Sequence, residues 1–452
     1  MFRFRGELNA TSLGFLSVYI FGNRPGRKGM IPRYQAISRI PRRTFSSYTH
    51  NLVQKSLVDK IRAAPGSRND LTLKQSVSFY WEWLTTPTKK LLRKYEDALV
   101  ETIKLPIGVQ LTRTKVAGLH QFHLSSADAK AVETPTLLVH GYGASSIFYH
   151  RNFNALSTHI KNVYALDTPD IGLSDRKPLQ VRRVKQKVKI VKPKDDTQKT
   201  KFTISQNKDK NLEQVHKVQG YYVDAIDEWR KAHGFEKFNL VSHSFGSLMS
   251  FSYALKYPQH VNKLVLCSPA GVERSIFSLN NTLTEGSISE DPSKPNYYRP
   301  SFIPRFISLV GFNLTRMLGP FGIQAISKYL SMRYSRGSTF DEQVKLLVKY
   351  TIALFHQRSN SMKNLQVVLN NQILAHDPML DHSKELQVST AVMYGAYDWM
   401  NSQAGYQLCR EIQEADKVKE LRFSVIQNAG HNVFLDNHEE FDKQVIDFLK
   451  EN

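Results

Sequence analysis

Phe238-Asn-Leu-Val-Ser-His-Ser244-Phe-Gly-Ser247 is the stretch on which the reading of this chain turns. An apolar strand pattern, Phe238 to Ser242, runs into Ser244, and a helical pattern from Leu248 to Tyr257 follows until Pro258 stops it. Strand, tight turn and helix in that order is the context of a nucleophile elbow, where a sharp turn lifts a serine hydroxyl to the edge of a sheet. The G-x-S-x-G pattern is altered here. Ser242 occupies the position at which glycine normally lets strand and helix approach closely.

Working outward, short apolar runs alternate with helical patterns, which predicts a mainly parallel sheet flanked by helices. The expected strands are Thr136–His140, Val163–Asp167, Phe238–Ser242, Lys263–Ser268, Thr390–Tyr394 and Leu421–Val425. A helical stretch is expected at Leu73–Val100, with Trp81 and Trp83 near its start, and another at Tyr221–His233. The fold class is therefore α/β, of the hydrolase type. Residues 70–270 make the first part of its core and 386–452 the last.

Two stretches break the rhythm. Residues 181–217 are crowded with Lys and Arg and read as a solvated surface loop ahead of a helix, with contact to anionic lipid as the sharper reading. Nucleic acid is not expected as a partner, because the basic residues lack interleaved aromatics for stacking. Residues 271–385 lie between two core strands and include apolar pieces such as Phe302–Leu309 and Phe321–Tyr329. An insertion there sits above the carboxyl edge of the sheet, where ligands bind in open α/β folds, and is read as a cap.

The acid and base of a hydrolytic triad follow the nucleophile in the required chain order. Asp398 comes just after a strand in Tyr394-Gly-Ala-Tyr-Asp398-Trp399, and His431 lies in a loop after the last strand in Asn428-Ala-Gly-His431. In this reading His431 takes the Ser244 proton while Asp398 holds the imidazole. The backbone N–H groups of Phe245 and Tyr142 are the expected oxyanion donors. Asp381 and Asp436 compete for the role of acid. Asp436 also closes His431-Asn-Val-Phe-Leu-Asp436, an H-x-x-x-x-D pattern that marks glycerolipid acyltransferases, although a place at the start of the final helix, with Asn437 and Glu440 forming a capping-box-like start, is the stronger reading.

The 452 residues carry a formal charge of +22, with 41% hydrophobic and 23% charged residues. That balance excludes wholesale disorder and favours an anionic partner or an import machinery. Cys267 and Cys409 are too few for a disulfide framework or a Cys-based zinc site, and no metal or cofactor is expected. Residues 1–48 hold Arg3, Arg5, Arg24, Arg27, Arg33, Arg39, Arg42 and Arg43 against one acid, Glu7, the composition of a mitochondrial transit peptide. The apolar run Leu13–Phe21, about ten residues, is too short to span a bilayer, so membrane contact is expected to be peripheral.

From about Trp81 to its end the chain resembles the α/β-hydrolase group that contains the animal abhydrolase-domain lipase coactivators and their fungal relatives. The resemblance rests on His140-Gly-Tyr-Gly-Ala-Ser-Ser146, Ala225-Ile-Asp-Glu-Trp-Arg230, Ser242–Ser247, Tyr394–Trp399 and Gly430–Asp436. It implies phospholipid acyl chemistry in the mitochondrion. The leading expectation is a serine lipase or phospholipase acting on cardiolipin or a related lipid. The alternatives are acyl transfer to lysophosphatidate through the H-x-x-x-x-D motif, and a non-catalytic lipid-binding coactivator. Elbows in this group usually read Gly-His-Ser-x-Gly-Gly, so Ser242 and Ser247 both depart from the pattern.

Overall fold

The computed structural model describes residues 69–129, 131–192, 199–300, 317–334, 336, 341–357 and 359–450. The basic segment 1–48 and the piece Phe302–Leu309 lie outside the described residues.

Two helices come first, α1 (Leu73–Thr85) and α2 (Thr88–Glu101). The helical stretch expected at Leu73–Val100 is divided in two. Pro87 breaks it, because a proline ring forces the residue before it out of the helical region, and Thr86 is extended at φ −113°, ψ 128°. Strands β1 (Val109–Val116) and β2 (Leu119–Ser126) form an antiparallel hairpin turned at Ala117 and Gly118, with φ of 49° and 81°.

The α/β series follows as β3 (Thr136–Val139), α3 (Phe153–His159), β4 (Asn162–Leu166), β5 (Gln186–Val191), β6 (Lys201–Gln206) and α4 (Lys208–Ala232). The elbow joins β7 (Phe238–His243) to α5 (Phe245–Lys256), and β8 (Val261–Cys267) comes next. The long insertion contributes β9 (Glu285–Ser287), α6 (Gly319–Tyr334), α7 (Asp341–Phe355) and α8 (Ser361–Val368). The chain ends with β10 (Ser389–Gly395), α9 (Ser402–Ala415), β11 (Leu421–Ile426), α10 (Val433–Asp436) and α11 (His438–Leu449).

Eight strands make the main sheet in the order β1-β2-β4-β3-β7-β8-β10-β11. The pairs from β4 through β11 are all parallel, and β2 runs against both its neighbours. Both faces of the sheet are covered, so its central strands are apolar throughout rather than alternating in polarity. Val241, Val265, Ala391 and Met393 face one apolar cluster with residues of α3 and α11. Leu240, Leu264, Leu266 and Val392 face the other, with residues of α4, α5 and α9.

The basic segment 181–217 departs from expectation. It is not a solvated loop: β5 and β6 form a hairpin, β9 from the long insertion pairs antiparallel with β6, and α4 begins at Lys208. The signal was a period of two hidden among charges. Phe202 and Ile204 point inward onto Ile276, Phe277 and Leu374, while Lys201, Thr203 and Ser205 face out.

The long insertion leaves and re-enters the core at one place. Met379 and Leu380 N–H groups bond to the Gly271 and Val272 carbonyls, so its two ends lie side by side. Its helices meet the loops at the carboxyl ends of the strands: the Tyr142 hydroxyl faces Met362 Sδ at 3.5 Å, and Gln357 donates to the Gly172 carbonyl at 2.6 Å. They also pack on the N-terminal helices, Gln343 donating to Thr102 Oγ1 at 2.9 Å and the Leu71 N–H to Ser327 Oγ at 3.1 Å.

Candidate active site

Ser244 sits between β7 and α5 with φ 54° and ψ −118°, a strained backbone state for a residue with a Cβ. The turn is packed from every side. A Cβ at Gly246 would collide with the His140 carbonyl oxygen, and one at Gly141 would meet the Ser244 Cβ at 2.9 Å. These contacts make glycine necessary at both places.

Ser242, where glycine was expected, is accommodated. Its hydroxyl donates to the Val265 carbonyl on β8 at 3.1 Å. Ser247 is likewise satisfied, its hydroxyl donating to the Ser242 carbonyl at 2.8 Å. The two departures from the glycine pattern thus tie the turn to itself and to the neighbouring strand. Neither side chain is directed at the Ser244 hydroxyl.

The structure brings Ser244, His431 and Asp398 into one hydrogen-bonded series. Ser244 Oγ lies 3.0 Å from His431 Nε2, and His431 Nδ1 lies 3.0 Å from Asp398 Oδ1. A carboxylate only accepts, so Nδ1 carries the hydrogen and Nε2 is left free to receive the serine proton. Asp398 Oδ1 also accepts the Met400 N–H at 3.0 Å, which fixes the carboxylate on its loop. All three side chains are buried, and Trp399 packs on the His431 ring with centroids 4.6 Å apart.

Electrostatics suit proton transfer at neutral pH. Burial works to raise the Asp398 carboxyl, but the neighbouring His431 outweighs it and the acid is held down to about 2. Burial lowers the proton affinity of His431 below its ordinary value despite Asp398, so the imidazole is neutral and basic. His243, beside the nucleophile, donates from Nε2 to the His431 carbonyl at 2.8 Å and braces that loop.

The expected oxyanion donors stand where the fold can use them. Phe245 is the first residue of α5, so its N–H has no carbonyl one turn back within the helix. Tyr142 lies in the Gly141–Gly143 turn that presses on Ser244. The competing acids are elsewhere. Asp381 pairs with Arg274 at 3.0 Å and accepts the Ser278 hydroxyl. Asp436 accepts the Gly430 N–H at 2.7 Å and touches neither nitrogen of His431. Asn437 caps α11 by accepting the Glu440 N–H. Arg333, which donates to Asn432 Oδ1 at 3.4 Å, went unnoticed in the sequence because nothing in its flanks marks it as near His431.

A family model described as alpha/beta hydrolase fold matches residues 134–438. The chain belongs to that family, and it is an enzyme of the hydrolase or acyltransferase class. Among curated proteins of Saccharomyces cerevisiae (strain ATCC 204508 / S288c) it is similar to Protein ECM18, 32% identical across 88% of this chain and 89% of that one. It is also similar to 1-acylglycerol-3-phosphate O-acyltransferase ICT1 of the same yeast, 33% identical across 79% of this chain and 92% of that one. Among solved structures, the serine hydrolase CCSP0084 from Cycloclasticus zankles aligns with a TM-score of 0.49 at 14% identity, over 75% of this chain and 98% of that one.

Proposed function

We propose that this protein is a serine-dependent phospholipid acyl enzyme that passes an acyl chain through Ser244 to a lysophosphatidate-like acceptor or to water. The observation that carries the reading is the Ser244–His431–Asp398 series at 3.0 Å per step in a strained elbow. The name of the ICT1 relative supports a lysophosphatidate acceptor.

In the first half-reaction Ser244 Oγ attacks the acyl carbonyl carbon as His431 Nε2 takes its proton. The negative oxygen of the tetrahedral adduct is met by the Phe245 and Tyr142 N–H groups. As the adduct collapses, the bond to the leaving alcohol breaks and His431 returns the proton to it, leaving acyl-Ser244. In the second half-reaction His431 deprotonates the acceptor hydroxyl, which attacks the ester carbonyl, and as the bond to Ser244 Oγ breaks His431 returns the proton to Ser244. Water in place of the acceptor makes the same site a phospholipase, for cardiolipin or another phospholipid.

Two surface features support action at a membrane. Leu73, Val77, Trp81 and Leu84 recur at helical spacing on α1 and are exposed, Trp81 at 67%, and Phe321, Tyr329 and Met332 are exposed on α6. On the hairpin, Lys187, Lys189 and Lys201 face outward, as a peripheral contact with anionic lipid requires. No helix among the described residues is long and apolar enough to cross a membrane. The Arg-rich start supports a mitochondrial address, which a fusion of Met1–Thr49 to a fluorescent reporter tests; cytosolic fluorescence would remove that part of the proposal.

The catalytic reading is tested with a labelled acyl donor, lysophosphatidate and a serine-reactive fluorophosphonate probe. Wild-type protein is expected to label and to form phosphatidate, and Ser244→Ala to do neither. Transfer that survives Ser244→Ala but not Asp436→Ala would overturn the mechanism. Absence of labelling in folded wild-type protein would point to a binding module.

A further inference from the structure

The surroundings of His431 hold more positive charge than the triad uses. Arg333 lies near the end of α6 and Arg336 just beyond it. Arg333 Nη2 donates to the side chain of Asn432, the residue after His431, and its Nη1 faces the Tyr329 hydroxyl at 3.4 Å. The Arg336 guanidinium lies over the Tyr397 ring, 4.8 Å from its centroid, and its Nε stands 3.9 Å from where a Cβ on Gly430 would be. Both arginines therefore flank the short Gly430-His431-Asn432 turn.

Their partners are neutral. Among the described residues Arg333 and Arg336 are held by a hydroxyl, an amide and an aromatic ring, and neither is in ion-pair contact with a carboxylate. The acid at hand, Asp436, is committed through Oδ2 to the Gly430 N–H, while its buried Oδ1 has no hydrogen-bond partner. Such partners orient a guanidinium without neutralising it. Asp436 lies within electrostatic reach of both arginines, but one carboxyl already holding the Gly430 N–H cannot offset two half-buried guanidinium groups, so the pair keeps charge for an anion, and its planar forks suit phosphate better than a point charge would.

Chemistry narrows the anion. A lysophosphatidate carries its phosphate and its free hydroxyl on neighbouring carbons, so the base that activates the hydroxyl and the cations that hold the phosphate must be close together. Arg333 reaches the residue next to His431 in just this way. We propose that Arg333 and Arg336 form a subsite for the phosphate monoester of a lysophospholipid acceptor. The proposal rests on the acyl-transfer reading above and names its acceptor site.

The experiment measures binding on the full chain carrying Ser244→Ala, so that turnover does not enter. Lysophosphatidate is expected to bind at least about tenfold more tightly than a monoacylglycerol with the same acyl chain, since charge-assisted contacts of this kind contribute roughly ten- to a hundredfold. Adding Arg333→Gln or Arg336→Gln should shrink that preference several-fold, and Lys at the same positions should restore part of it. Thermal melts confirm that each variant is folded. A preference unchanged in the folded double Gln variant overturns the subsite. Inorganic phosphate should displace lysophosphatidate only at concentrations about a hundredfold higher; displacement at equal concentration would overturn the headgroup assignment and leave a site for free phosphate. If lysophosphatidate binding depends on the arginines while acyl transfer in otherwise wild-type protein does not depend on Ser244, the subsite stands and the catalytic reading falls.

Discussion

Asp398→Asn compared with Asp436→Asn separates a hydrolase triad from an H-x-x-x-x-D acyltransferase site. Asp398 Oδ1 receives both the His431 Nδ1–H and the Met400 N–H, each at 3.0 Å. An asparagine can keep its oxygen in that place, so the first loss is the charge that stabilises the imidazolium. Its size follows from the carboxyl itself, which lies at about 2 against an ordinary 3.8 although burial pushes it the other way. That difference is on the order of 2 kcal/mol, shared between His431 and the Ser268 and Met400 hydrogen bonds, so a loss of roughly ten- to a hundredfold in acylation rate is expected. Should the amide turn its NH2 toward His431, the wrong tautomer is selected and the loss approaches about 10⁴-fold. Asp436 bonds the Gly430 N–H and neither ring nitrogen, so Asp436→Asn is expected to slow acylation by less than about tenfold. The assay is the pre-steady-state burst with a neutral p-nitrophenyl ester, which isolates acylation from the choice of acceptor. A larger loss in Asp436→Asn than in Asp398→Asn would refute the assignment.

Acylation requires neutral His431, which burial holds below its usual 6.5, so the acid limb of the rate profile should lie below pH 6.5 with a plateau above; a limb centred above pH 7 would contradict the geometry. Ser242→Gly restores the glycine of the family elbow yet removes the hydroxyl bond to Val265, and roughly 1–2 kcal/mol of lost hydrogen bond and added chain entropy should lower the melting temperature by about 1–2 °C. Burial pushes Asp436 up to about 7, whereas an unfolded chain ionises it near 3.8. The folded state then holds the proton more tightly, and ionisation erodes stability as pH rises from about 4 to about 7. Asp436→Asn should therefore gain in melting temperature relative to wild type over that range, and a constant difference would rule out the buried acid as its cause.

The elbow was legible because strand, turn and helix each leave a local pattern around Ser244. Chain order then nominated Asp398 and His431. What remained hidden is non-local. Strand β1 alternates, but Arg113 and Lys115 continue the face begun by the half-buried Val109 and Leu111, so that face shows no apolar run to notice. The β5–β6 hairpin was masked by lysines on its solvent face, and its inner residues acquire meaning only when Phe277 and Leu374 close over them. The choice between Asp398 and Asp436 depended on which loop turns toward His431, and sequence spacing is silent on that. Arg333 and Arg336 were unreadable for the same reason, since a helix nearly a hundred residues upstream delivers them.

The packing of α1 and α2 against α6 and α7 has a consequence for how the chain is made. The hydrogen bonds Leu71 to Ser327 and Gln343 to Thr102 join positions 256 and 241 residues apart. At roughly 5–20 residues per second, synthesis leaves the first two helices without their partners for about ten to fifty seconds. During that interval Leu91, Leu92 and Leu99, fully buried in the finished fold, lack the part of their cover that Val344, Leu347 and Val348 of α7 supply. Helices α1 and α2 are thus an open surface for holdase chaperones until α6 and α7 have been made.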